Sequence, residues 1–195
     1  MLKKLLPILF LFAGFQANAA IIGNDVINRS SLDGASYINF IDPTLSFNEA
    51  GVIESWDIYA GRANSEFSLQ VFRSTGSTNE FELIGENYFS SAGATGLVHL
   101  GINAPDQIHV QAGDFIGWWF GSGQGVIDFS SEPDTVLWKY EGGAHINVYD
   151  TATINPQGAR EYSISANYSA VPEPSITALF ALGLVGIGFA RRRRS

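Results

Sequence analysis

A chain of 195 residues with no cysteine and a formal net charge of −8 holds no disulfide and offers no thiol as nucleophile or metal ligand. Its charge is unevenly placed. Residues 20 to 170 carry five basic against 18 acidic side chains, a net −13, which disfavours nucleic acid and anionic membranes and suits a solvated body or one that meets divalent cations and their polymers. About 150 residues make one self-sufficient core and not two comfortable domains.

Residues 1–19 have the layout of a secretory signal peptide. Lys3 and Lys4 give the positive start, Leu5 to Phe15 the apolar run, and Ala17-Asn18-Ala19 the small-x-small site before Ala20. The run is too short for a spanning helix. Cleavage is expected after Ala19, which makes the secretion translocon and signal peptidase the first partners.

From Ala20 to Ala170 the period is two. Phe67, Leu69 and Val71 alternate with Ser68 and Gln70; Val136, Trp138 and Tyr140 alternate with Thr135 and Lys139; Tyr162, Ile164, Ala166 and Tyr168 alternate with serines and Asn167. Further strand-like runs are Tyr37 to Ile41, Val52 to Tyr59, Phe81 to Tyr88, Leu97 to Ile102, Phe115 to Phe120, Val126 to Phe129 and Ile146 to Tyr149. Glycine, proline and aspartate clusters separate them, among them Asp33-Gly34, Ala104-Pro105-Asp106 and Gly142-Gly143. The pattern predicts an all-β body: one antiparallel β-sandwich, jelly-roll-like, over residues 20–170.

Catalytic patterns are few. Gly121 to Gly125 lacks the Lys-Ser/Thr of a phosphate loop and reads as a tight turn; no Gly-x-Ser-x-Gly and no His-Glu-x-x-His occurs. His99 and His109 have apolar neighbours on both sides, which puts them on the solvent face of their strands, away from a metal site with Asp106 or Asp114. Asp106, Asp114, Asp128 and Asp134 fall near turns, where a local hydrogen-bonding role is expected and a structural calcium is an alternative. With 18 acids in the body, some pair meets glycosidase spacing by chance. Trp118-Trp119-Phe120 places Trp119 on the face opposite the other two. Core filling is the first expectation. The alternative is a sugar-stacking platform of Trp119 with Trp56, Trp138 or Tyr140. No catalytic residue, cofactor or resident metal is assigned, so the body is expected to be non-enzymatic, with a carbohydrate-binding module and a polysaccharide hydrolase as the alternatives.

The end of the chain has three parts. Pro172-Glu173-Pro174 is followed by uncharged Ile176 to Ala190 and then Arg191, Arg192, Arg193 and Arg194. A helix over 176–190 reaches about 22 Å at 1.5 Å per residue, short of the roughly 30 Å hydrocarbon core, so it spans only marginally. The arginines act as the membrane stop and stay cytoplasmic. In combination these residues resemble the C-terminal sorting signal of the PEP-CTERM proteins, here over 171–195. The resemblance implies that Pro172, Glu173 and Pro174 are recognised by an exosortase, a membrane-embedded cysteine-protease-like enzyme of Gram-negative bacteria. It removes the tail, leaving the body on the outer surface or released, often beside exopolysaccharide or biofilm.

Overall fold

The computed structural model describes residues 18–29, 31–34, 36–132, 138–140, 145–156, 158 and 160–171. Among them the regular structure is strand, with one 3-10 turn at Ala104–Asp106. In chain order the strands are β1 (Asn18–Gly23), β2 (Ser31–Leu32), β3 (Ile38–Ser46), β4 (Gly51–Ala60), β5 (Phe67–Ser74), β6 (Glu80–Phe89), β7 (Gly96–Gly101) and β8 (His109–Val110). There follow β9 (Phe115–Phe120), β10 (Asp128–Ser131), β11 (Trp138–Tyr140), β12 (Thr151–Thr153), β13 (Asn155–Pro156), β14 (Arg160–Tyr162) and β15 (Ile164–Ala170).

Every strand pair is antiparallel. One sheet runs β1-β15-β4-β7 with β8 beside β4, and the larger runs β12-β6-β5-β9-β3-β11-β13. A small sheet, β14-β10-β2, stands apart; there Asp33 accepts a hydrogen bond from Tyr162 Oη at 2.6 Å and pairs with Arg160. The main core lies between the two large sheets. Ile53, Trp56, Ile58, Ile164 and Ala166 come to it from the first, and Phe40, Phe67, Leu69, Val71, Trp118 and Phe120 from the second. Alternation decides this: β7 buries Val98 and Leu100 more deeply than Leu97 and His99.

The larger sheet is covered on its other face as well. Ile41, Phe72, Phe81 and Leu83 form a second apolar cluster under Ile146, Ala152 and Ile154. This corrects the expectation of a strand over Ile146 to Tyr149. The segment is a covering turn in which Asp150 N–H donates to Asn147 O at 3.0 Å and Tyr149 takes a φ of +73°. Ile146 and Val148 alternate because they pack down on the sheet, not because they pair within it.

Among the described residues no helix is long and apolar enough to cross a membrane. The expected helix 176–190, the motif Pro172-Glu173-Pro174, Arg191 to Arg194, and Ala17 with the rest of the signal peptide up to residue 17 lie outside the described residues.

Candidate functional site

The free part of β6 positions the site. β12 pairs only with Glu80 to Glu82 of its outer edge, and Leu83 exchanges backbone hydrogen bonds with Tyr149 and Asp150 at 2.8 and 3.1 Å. From Ile84 to Phe89 the strand instead borders a groove whose other wall is the segment 101–109. Two adjoining recesses of about 360 Å³ each make up the groove, and Glu86 and Asp106 line both. Gly85 lets the wall approach, since a Cβ there would meet Ile108 Cγ2 at 2.9 Å. Asn87 ties the wall to the core: its amide donates to Asp106 O at 2.7 Å, and its Oδ1 accepts from Trp56 Nε1 at 2.8 Å.

An exposed aromatic stands at each recess. Tyr88 lines the first and is 54% exposed; Tyr149 lines the second and is 73% exposed. Tyr88 is held in place because its hydroxyl donates to Glu66 at 2.7 Å, and Glu66 in turn accepts from Ser122 N–H at 2.9 Å. Those bonds hold the Glu66 carboxyl below the usual glutamate range, the Ser122 N–H foremost. Asn103 and His109 complete the polar lining.

Glu86 is the charged centre. Register places Gln70 opposite Glu86, and Ser68 between Tyr88 and Trp119, all on the face away from the main core. Glu86 Oε2 lies 2.7 Å from His145 Nε2 and 3.4 Å from Gln70 Nε2. Burial pushes the Glu86 carboxyl up, but the His145 hydrogen bond, with Ser68 and Gln70, outweighs it and leaves the group below its ordinary value. The His145 ring meets Trp119 edge-on at 4.6 Å. Among the described residues Gln70 Oε1 and Trp119 Nε1, buried beside this cluster, have no hydrogen-bond partner, a cost that packing alone would avoid.

Of the tryptophans expected to form a stacking platform, Trp56 and Trp119 present no exposed ring. Trp56 is fully buried in the main core, and Trp119 is 6% exposed beneath His145. Trp118 and Phe120 do share the core face while Trp119 takes the other. Trp119 is covered because the outer face of the larger sheet is roofed by residues from His145 onward, which strand alternation could not show. Trp138 lies in β11 opposite Ile41. No sequence signal marks Tyr88 or Tyr149, the exposed aromatics at the groove; only the positive φ in a turn distinguishes Tyr149.

The ionisable candidates separate. His99 and His109 face solvent; His99 Nδ1 sits 2.7 Å from Asp57 Oδ1 on the open face of the first sheet. Asp106 lines the groove. Asp114 is buried in a two-pronged pair with Arg73, at 2.7 and 2.8 Å. Asp128 is buried, and desolvation raises its carboxyl. Asp134 lies outside the described residues. Among the described residues no group of three His, Asp or Glu side chains is placed to hold a metal.

Both ends of the body meet at one corner. β15 is a central strand, paired with β1 on one side and β4 on the other, and Ala170 lies opposite both Asn18 and Gly51. Val171 N–H donates to Ala50 O at 2.9 Å, so Pro172 directly follows a residue hydrogen-bonded to the body. This is an all-β body whose last strand runs straight into a hydrophobic tail. Residues 170–194 match the model of the PEP-CTERM protein-sorting motif. The chain therefore carries a PEP-CTERM sorting signal and is an exosortase-targeted exported protein, anchored for a time through its C-terminus. The match takes in Pro172, Glu173 and Pro174 and begins inside β15 at Ala170. No curated protein matches the chain, and no solved structure matches it.

Proposed function

We propose that the body is a non-catalytic module of the extracellular polysaccharide matrix, which grips a saccharide chain in the groove along β6. The eight long strands support a jelly-roll reading. Numbered one to eight in chain order (β1, β3, β4, β5, β6, β7, β9, β15), they run 1-8-3-6 in one sheet and 2-7-4-5 in the other, as two interleaved Greek keys do. In the proposed life of the chain, the translocon exports it and signal peptidase removes residues 1–19. An exosortase then releases or transfers the body at the outer surface.

The observation that carries the saccharide reading is the pair Tyr88 and Tyr149, two exposed rings flanking a groove lined by Glu86, Asn103, Asp106 and His109. Rings supply apolar faces for the C–H surface of a sugar, and carboxylates and amides take its hydroxyls. A hydrolase would use Glu86 and Asp106 as an acid and base pair. A general acid needs a raised pKa, and the His145 hydrogen bond leaves Glu86 below its ordinary value, so Glu86 is unsuited to the acid role in such a pair.

The test is binding of the mature protein to exopolysaccharide from its own host, by titration calorimetry. Tyr88→Ala and Tyr149→Ala should each weaken binding by about three- to tenfold, the equivalent of roughly 0.7–1.4 kcal/mol, without changing the melting temperature. Unchanged affinity in both variants would remove the groove from the account. New reducing ends appearing during incubation would establish the hydrolase instead.

A further inference from the structure

The first strand of the body contains the bond that signal peptidase is expected to cut. In β1, Asn18 lies opposite Ala170, Ala19 opposite Ser169 and Ala20 opposite Tyr168. The Ala19–Ala20 bond therefore sits inside a strand pair, with Ala20 and Ile22 packed against the main core. A peptidase takes its substrate as a free extended segment, so the inner edge of β1 has to be unoccupied when the bond is hydrolysed by water to a carboxylate on Ala19 and an ammonium on Ala20.

We propose that docking of β1 on β15 closes the signal-peptidase site, so that residues 1–19 must be removed before the last strand arrives. The proposal rests on cleavage after Ala19. The order is built into the topology. Among the described residues β1 is an edge strand whose one partner is β15, and β15 is the last of the body's strands to leave the translocon. Until residues 164–170 emerge, nothing in the described fold covers the inner edge of β1. Once they emerge, the sorting motif that begins at Ala170 follows at once, and completion of the first sheet coincides with arrival of the tail at the membrane. A precursor that folds with its leader attached is refractory to signal peptidase.

One residue offers a way to open this lock without touching the cleavage site. Gly23 has a φ of +146°, and a Cβ there would fall 2.3 Å from Ser165 Cα and 2.4 Å from Ile164 O. Gly23→Val therefore forces β1 off β15. Ile21 and Asn167, directly opposite each other, close it. Opposed Cα atoms in an antiparallel pair are about 4.5–5.5 Å apart, which a disulfide bridges, and the chain has no other cysteine.

The experiment uses the full-length chain, leader and tail attached, folded in detergent and given purified signal peptidase, with loss of the leader followed by mass. The folded wild type should be cut at least tenfold more slowly than the same chain presented unfolded, and Gly23→Val should recover most of that difference. Burial of Trp56 and Trp118, read by fluorescence, checks that this variant keeps its core. In the Ile21→Cys/Asn167→Cys variant, the oxidised form should resist cleavage under mild urea that permits cleavage of the reduced form. Equal rates for folded and unfolded wild type, or for oxidised and reduced forms, would overturn the proposal. If not even the unfolded chain is cut between Ala19 and Ala20, the proposal fails at its premise, and the groove and the sorting motif stand apart from that failure.

Discussion

Asn87→Leu tests how the groove is joined to the core. In the wild type, Asn87 accepts from the fully buried Trp56 Nε1 at 2.8 Å and donates to Asp106 O at 2.7 Å. Leucine keeps the branching and heavy-atom count of the side chain, though it is bulkier, and leaves the indole N–H buried without an acceptor, which costs about 1–3 kcal/mol. The Asp106 carbonyl sits at the groove and regains water, so its loss adds only about 0.5–1 kcal/mol. Added apolar burial returns about 1 kcal/mol, leaving a net loss of roughly 0.5–3 kcal/mol. For a body of this size that is about 1–12 °C in melting temperature. Urea unfolding followed by tryptophan fluorescence measures it. Trp56→Phe removes the donor, so the double variant should be less destabilised than the sum of the singles by about 1–2 kcal/mol. A single variant as stable as wild type, or perfect additivity, would refute the bridging role.

Glu86→Gln should cost about 1 kcal/mol at neutral pH, where the carboxylate faces His145, Ser68 and Gln70. Because the folded carboxyl lies below its ordinary value near 4.5, its contribution is present above that value and is lost as pH falls through the folded pKa. The gap between wild type and variant should close in that range. Asp42 and Asp128, both raised by burial, act with the opposite sign, so urea midpoints must be compared as a difference between the two proteins; a gap constant down to pH 3 would contradict the assignment. Gly117→Val should destabilise by about 2–3 kcal/mol or abolish soluble expression, since a Cβ there would lie 2.5 Å from Phe40 O and 2.7 Å from the Phe72 ring. A urea midpoint equal to wild type would contradict the close packing between β9 and its neighbours.

The strands were legible where one face is buried and the other is not. Leu97 to Gly101 shows this, as does the assignment of Trp118 and Phe120 to the core and Trp119 to the opposite face. The period of two is blind to what covers the second face. For that reason Ile146 to Tyr149 looked like a strand although it is a roof, and Trp119 looked available for stacking although His145 lies against it. Short strands such as β2, β8 and β13 are fixed by long-range pairing and leave no local pattern. The groove was not legible at all. It arises from Gly85, Asn87 and Ile108 meeting across distant parts of the chain, and from Tyr149 in a left-handed turn. The sorting signal was legible in full, because Pro-Glu-Pro, an uncharged run and an arginine cluster are contiguous and need no fold to be read.

The most direct measurement is the intact mass of the protein recovered from the outer surface or medium of its own host. The expected chain begins at Ala20 and lacks Arg191 to Arg194. A surface-borne or released chain that still carries those four arginines would contradict the account.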